Sequence, residues 1–277
     1  MEQSWPVQLF SKSVLKQRKF KEITNLLGDT DRLHCLDIGS DNGVISYLLR
    51  KRGGRWKSAD LDEMAVRSIR ELVKSEAFQI DGHRTVFQDN EFDRVVIVDF
   101  LEHIHTDREF IGELHRIIKP GGELIINVPH VKNSLLRKFR LAIGQTDEKH
   151  GHVRPGYTVD SLSSLLKNDF IITSYKTYSK FFSECLDTLM ACGLGLVKKG
   201  EEQSRKGLLV TEQDMRRHRK MFWVYSAIYP VVWVFAKLDM MLLWCSGYML
   251  IAKAKINKSQ KAVEDGHTGN PLIGMAR

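Results

Sequence analysis

The chain has 277 residues, enough for one large α/β domain with an elaboration, and its 43% hydrophobic and 27% charged residues are ordinary for a packed globular protein. Four cysteines without a paired spacing give no sign of a disulfide scaffold or a zinc ribbon, and no apolar run approaches the roughly 20 residues of a bilayer-spanning helix. The net charge of +8 favours anionic partners: a membrane surface, nucleic acid or an acidic glycan.

The opening MEQSWPVQLF has no basic region followed by an apolar run, so no secretory signal is predicted. Cys35, Cys185, Cys192 and Cys245 lie in apolar segments and read as small buried hydrophobes. The expectation is a reduced, cytoplasmic protein. Residues 11–27 space their apolar side chains helically among lysines, which predicts a basic leader helix within residues 1–32. From residue 33 strands and helices alternate. LHCLDIG, RWKSAD, AFQID, DRVVIVDF and ELIINVP are predicted strands, with helices over 44–51, 63–74 and 107–118 between them. KPGG, residues 119–122, reads as a helix stop that turns the chain into the next strand.

After Pro129 come a basic segment, HVKNSLLRKFR, and a loop, TDEKHGHVRPGYT. VDSLSSLLKN is a helix and DFIITSYKTY a strand, while GYMLIAKAKI makes the last strand at residues 247–256. Between the last two strands, residues 179–246 form a helical, aromatic-rich insert holding FWVYSAIYPVVWVFA, preceded by RRHRK at residues 216–220. Such a stretch, short and interrupted by Pro230, suits an interfacial element, a cap over the site or a dimer surface better than a membrane span. The tail, residues 257–277, is polar. Alternation of this kind predicts an α/β fold: a mostly parallel sheet with helices on both faces.

Ligands of open α/β sheets bind at the carboxyl ends of the strands, where a glycine turn lets the backbone approach. Here the turn is LDIGSDNG, with Gly39 and Gly43, and Asp41 occupies the middle slot where a dinucleotide site wants glycine. A carboxylate beside a pyrophosphate is repulsive. S-adenosyl-L-methionine has no phosphate and carries a sulfonium and an amino-acid zwitterion, so Asp41 damages its binding far less. Asp60, ending the second strand, can accept both ribose hydroxyls, and Asp81, ending the third, can meet the adenine amine.

LDIGSDNG, SADLDEMAV, IDGHRTVFQDNEFDRVVIVDFLEHI and LHRIIKPGGELIINVP together resemble a class I S-adenosylmethionine-dependent methyltransferase of the type 11 group, which includes quinone-biosynthesis C-methylases. The resemblance covers residues 33–178 and the last strand. It implies a Rossmann-like, seven-stranded core with S-adenosyl-L-methionine as cofactor. It also implies that Asp37, Gly39, Ser40 and Gly43 form the methionine end of the site, Asp60 and Leu61 the ribose end, and Asp81 and Gly82 the adenine bracket. Asp99 is then expected to face the methionine amino group or the reacting centre.

A hydroxyl acceptor benefits from a general base with a pKa near neutrality, usually histidine. EKHGHVRPGYT resembles a loop that closes the active site in this group, and His150 or His152 is the candidate base. Glu102 and His103 of LEHI read as turn-stabilising. The reaction implied is methylation of a small-molecule or lipid-linked acceptor: a lipid-linked sugar or glycolipid, with a quinone or polyketide ring as the alternative. The insert suggests peripheral contact with an anionic membrane. No nucleic-acid partner is expected, since the positive charge is spread and no N/D-P-P-Y/F run exists. No metal is expected either. A binding module whose cofactor site was impaired by Asp41 is the non-enzymatic alternative.

Overall fold

A computed structural model describes residues 4–132, 134–142, 151–186, 188–189, 212–242 and 244–257. Its centre is a seven-stranded sheet of order β3-β2-β1-β4-β5-β7-β6. The strands are β1 (His34–Ile38), β2 (Arg55–Asp60), β3 (Ala77–Gln79), β4 (Phe92–Val98), β5 (Ile118–Pro129), β6 (Phe170–Tyr178) and β7 (Met249–Ile256). The first five pair in parallel, and β7 lies antiparallel between β5 and β6. Reversal of β4 relative to β1 in the strand order puts a switch point between them, which is where a crevice opens.

Both faces of the central strands are covered, so their sequences run apolar without alternation. Residues 95–98 are all buried. On one face Leu36, Val95, Ile97 and Leu124 pack with Phe110 and Leu114 of α5 (Asp107–Ile117) and, past the short α6 (Leu135–Ala142), with Leu162 of α7 (Val159–Leu166). On the other face Cys35, Val96, Val98 and Ile125 meet Ile23 and Leu27. Those last two belong to α2 (Val14–Leu27), which follows the short α1 (Trp5–Ser11). The basic stretch at the amino end is therefore two helices, and the second is part of the core layer. It is also tied electrostatically: buried Glu22 of α2 takes Lys176 of β6 on both oxygens at 3.0 Å, and Arg18 at 2.8 Å.

Two expectations need correction. KPGG is not a turn before β5. It is the irregular start of β5 itself, where the pairing register with β4 shifts and Lys119 reaches Asp93 at 2.8 Å. The cysteines are not uniformly buried. Cys35 is, and burial pushes its thiol up to about 12, but Cys185 is half-buried and Cys245 exposed; Cys192 lies outside the described residues.

The insert carries α8 (Glu212–Leu238) and a helical stretch at 181–186. Buried Asp239 holds the start of that stretch by accepting from the backbone amides of Lys180, Phe182 and Ser183, as a capping carboxylate does. The inner face of α8 turns to α1 and to residues 181–186. Trp5 and Phe222 stack at 5.7 Å, the Lys12 ammonium lies 5.8 Å from the rings of Phe222 and Tyr229, and Phe182 meets Phe235 at 5.8 Å. Its outer face is apolar and exposed, with Trp223 71% accessible, and Trp244 beyond it 98%. Among the described residues no helix is long and apolar enough to cross a membrane.

Candidate active site

β1 ends in the glycine turn that leads into α3 (Val44–Arg50). At Gly39 φ is +83°, and an added Cβ would stand 2.3 Å from the Val98 carbonyl oxygen, so only glycine lets the turn cross the end of β4. Gly43 starts α3 and abuts Ile69 of α4 (Glu63–Val73), where a Cβ would meet the Ile69 Cα at 2.8 Å. Asp37 stands behind this turn and not on the cleft wall. It is fully buried and accepts from the hydroxyls of Ser40 at 2.6 Å and Ser58 at 2.8 Å, from Ser46, and from Arg50 at 3.3 Å. Its role here is to fix Ser40 and hence the turn. A buried carboxylate is stable only with such a complement of donors.

In front of the turn lies a cleft of about 240 Å³ whose walls include Gly39, Ser40, Asp41, Val98 and Asp99. Helices α1 and α2 form the opposite wall with Phe10, Lys16 and Lys19 among others. Asp41 and Asp99 both adopt left-handed backbone, with φ of 51° and 46°, a conformation that aspartate tolerates better than most residues. The two carboxylates differ in their surroundings. Asp99 accepts from Asn127 Nδ2 at 2.8 Å and pairs with Lys19, so both oxygens are occupied. Asn127 in turn accepts from the Tyr178 hydroxyl, whose pKa is driven well up, first by burial and then by the charge of Asp99. Asp41 has a buried Oδ1 with no hydrogen-bond partner.

At the next strand end, Asp60 accepts from the amides of Asp41 at 3.2 Å and Asp62 at 3.3 Å. Burial nevertheless pushes its carboxyl up to about 6, against the lowering effect of those amides. Asp62, not Asp60, caps α4, through Met64 N at 2.7 Å, so buried Asp60 is free of that capping role. Gly82 is buried against Ile104, and Leu61 lies beside it. Asp81 is exposed, and its Oδ1 accepts from His83 N at 2.8 Å and Arg84 N at 3.0 Å; these amides hold its carboxyl below the usual range.

The loop after Gly151 docks on the segment that follows β4. Asp107 accepts from the Tyr157 hydroxyl at 2.8 Å and pairs with Arg154, while Arg154 also donates to Ile104 O at 3.0 Å. Burial, then Asp107, drives the Tyr157 hydroxyl pKa well above its ordinary value. Arg154 and Tyr157 are thus anchors. They bring His152 edge-on to His103, with ring centroids 4.8 Å apart, next to fully buried Glu102. His103 Nδ1 bonds Gly151 O at 2.8 Å. The donor atoms of Glu102, His103 and His152 all lie within 4.8 Å of one another. That grouping escaped sequence reasoning, because one member arrives from a loop 50 residues along the chain; the adjacency of LEH to the end of β4 was the available signal. Bonds of about 2.1 Å would need tighter packing for a metal shell, so the arrangement as it stands is a carboxylate–imidazole set suited to proton transfer. His150 lies outside the described residues.

Replacing Asp107 with alanine is expected to cost about 1–3 kcal/mol, since it removes the carboxylate that accepts from the buried Tyr157 hydroxyl and pairs with half-buried Arg154. Limited proteolysis should then cut near residues 151–157 in the variant and not in the parent. An uncut variant would show that the loop is held otherwise.

Residues 36–126 match the family described as Methyltransferase domain. Two relatives agree. The chain is 30% identical over 98 residues to the ubiquinone biosynthesis O-methyltransferase of Pseudomonas aeruginosa, covering 33% of this chain and 42% of that protein. It is also 30% identical over 114 residues to the ubiquinone/menaquinone biosynthesis C-methyltransferase UbiE of Methylococcus capsulatus, covering 37% and 46%. The chain therefore spans less than half the length of these relatives. A solved S-adenosylmethionine-dependent methyltransferase from Archaeoglobus fulgidus superposes with a TM-score of 0.53 at 16% identity, over 88% of this chain and 94% of that one, which is a likeness of fold.

The cofactor that goes with a methyltransferase domain of this fold is S-adenosyl-L-methionine, and this domain's residues suit it. The buried Asp60 carboxylate is an acceptor pair for two ribose hydroxyls. The cleft in front of the turn offers carboxylates and ammonium groups rather than the array of amides that a pyrophosphate needs. Asp41 lines the same cleft, and its buried Oδ1 has no hydrogen-bond partner, which leaves its charge for a cation to balance.

Proposed function

We propose that the chain is an S-adenosylmethionine-dependent methyltransferase acting on a hydroxyl of an amphiphilic small molecule. The observation that carries the reading is the cleft at the carboxyl ends of β1 and β4, lined by Gly39, Asp41 and Asp99, with Asp60 at the end of β2 bonded to the Asp41 amide, inside the stretch that matches a methyltransferase domain. When bound, the cofactor supplies an electrophilic methyl group on a sulfonium. Asp60 and Leu61 orient its ribose, Gly82 and Asp81 its base, and Gly39, Ser40 and Gly43 its methionine end. Much of the acceleration then comes from alignment. His152 takes the proton from the acceptor hydroxyl, and Glu102 stabilises the imidazolium that forms. His150 is the second candidate for that proton.

The acceptor class proposed is a lipid-linked sugar or glycolipid. The outer face of α8 supports it, since exposed Trp223, Val231 and Trp233 suit a bilayer interface, and RRHRK at residues 216–220 belongs to the same helix. The protein would then work at the cytoplasmic face, in peripheral contact with anionic lipid. A quinone-type or polyketide ring is the second reading, favoured by what the two relatives are named for.

Incubating the purified protein with methyl-labelled S-adenosylmethionine and cell extract, then separating lipid from aqueous material, tests the reading. Label in the organic phase is expected. Label confined to the aqueous phase retains the methyltransferase and removes the membrane reading. No label in either phase, with no cofactor binding, leaves a binding module. His152→Gln is expected to lower kcat about 100-fold, with cofactor affinity within about twofold of the parent; an unchanged kcat removes His152 from proton transfer.

A further inference from the structure

The carboxylate in the glycine turn has a partner class that the structure identifies. Of the two acids in the cleft, Asp99 is already neutralised by Lys19 and Asn127. Asp41 has one oxygen buried without a hydrogen bond. Of the two lysines, Lys19 is committed to Asp99, whereas Lys16 makes no hydrogen bond or ion pair among the described residues. Lys16 is exposed and lines the cleft. Desolvation lowers its ammonium pKa, and the charges of Asp41 and Asp99 oppose that. Once the Lys19–Asp99 pair cancels, one positive and one negative group remain in the same cleft. That residue of charge is dipolar, and it matches a zwitterion.

We propose that Asp41 and Lys16 form a charge pair that reads the amino-acid end of the cofactor, Asp41 taking the ammonium and Lys16 the carboxylate. The pair accounts for the departure from glycine at the middle of the turn. A carboxylate there is tolerated because α2, a core helix, brings a lysine to face it, and the bound zwitterion supplies each charge with its opposite. Asp99 then serves to hold Lys19 and α2 in place rather than to bind the ammonium. The inference rests on the methyltransferase reading, since it concerns that cofactor.

The test is calorimetric and needs no acceptor. S-adenosylhomocysteine carries the zwitterion, and 5′-methylthioadenosine lacks it. The parent, Lys16→Met, Asp41→Gly and the double variant are titrated with both at pH 7.5, with circular dichroism to confirm folding. Each single variant is expected to bind S-adenosylhomocysteine about 10–50-fold more weakly, as for a lost charge-assisted hydrogen bond. Each should bind methylthioadenosine within twofold of the parent. Asp41→Gly also relieves a left-handed non-glycine residue, so a loss of affinity in that variant cannot come from backbone strain. Unchanged affinity for S-adenosylhomocysteine overturns the pair alone, and so does equal weakening of both ligands, which would mark a structural role. If the parent binds neither adenosine compound, the methyltransferase reading falls with it.

Discussion

Asp60→Asn is expected to weaken cofactor binding severely and at the same time to raise the melting temperature of the cofactor-free protein. The buried carboxyl titrates at about 6 against an ordinary 3.8. A raised folded-state value means that the folded protein binds the proton more tightly than the unfolded chain. Stability therefore falls as pH rises from 3.8 to about 6, and above that the ionised group costs on the order of 3 kcal/mol. Asparagine carries no charge to desolvate, so Tm at pH 7.5 should rise by about 2–6 °C. It also offers one acceptor oxygen where two hydroxyls need two, and affinity for S-adenosylhomocysteine should drop at least about 100-fold. In the parent, affinity should weaken as pH falls below about 6, because the acceptor must be ionised. A lower Tm in the variant would mean that the charge is better solvated than its burial implies.

Gly39→Ala is the second large effect. The new Cβ would sit 2.3 Å from a backbone oxygen, which has no rotamer to escape into, and φ is already +83°. The turn must shift, at a cost of about 3–4 kcal/mol, and with it the amide of Asp41 leaves Asp60. Gly28→Ala is the comparison: φ is +71° there, but nothing lies within 4 Å. With ψ at −151° this is a backbone region nearly exclusive to glycine, so that variant should lose about 1–3 kcal/mol from conformation alone and keep its affinity for S-adenosylhomocysteine. Urea denaturation read alongside calorimetry separates the two. Equal losses would assign the effect to backbone conformation and not to the collision with Val98.

Legibility in the sequence followed how local each feature is. The parallel core was readable because its strands are buried on both faces and the helices between them carry a clear apolar stripe. RWKSAD falls on β2 and the 63–74 helix on α4, almost to the residue. KPGG was misjudged because proline and glycine signal a turn locally, while Ile118 and Glu123 on either side of it both pair with β4 and keep the strand running through the shift. Asp37 was legible as part of the turn but not as its internal brace, since Ser46, Arg50 and Ser58 reach it from two later elements. Asp60 was separable from Asp62 only by seeing which of them caps α4. The partner of Asp41 was the least legible feature. Lys16 lies on a helix 25 residues earlier that reads as a basic leader, and only folding α2 onto the sheet puts the two in one cleft.

The central claim is that the crevice at the ends of β1, β2 and β4 holds S-adenosylmethionine. A crystal structure grown with millimolar S-adenosylhomocysteine tests it most directly. The account predicts density across the glycine turn, with both ribose hydroxyls within hydrogen-bonding distance of Asp60 and the amino-acid end between Asp41 and Lys16. A ligand lodged elsewhere, or a crevice that stays empty at that concentration, would contradict it.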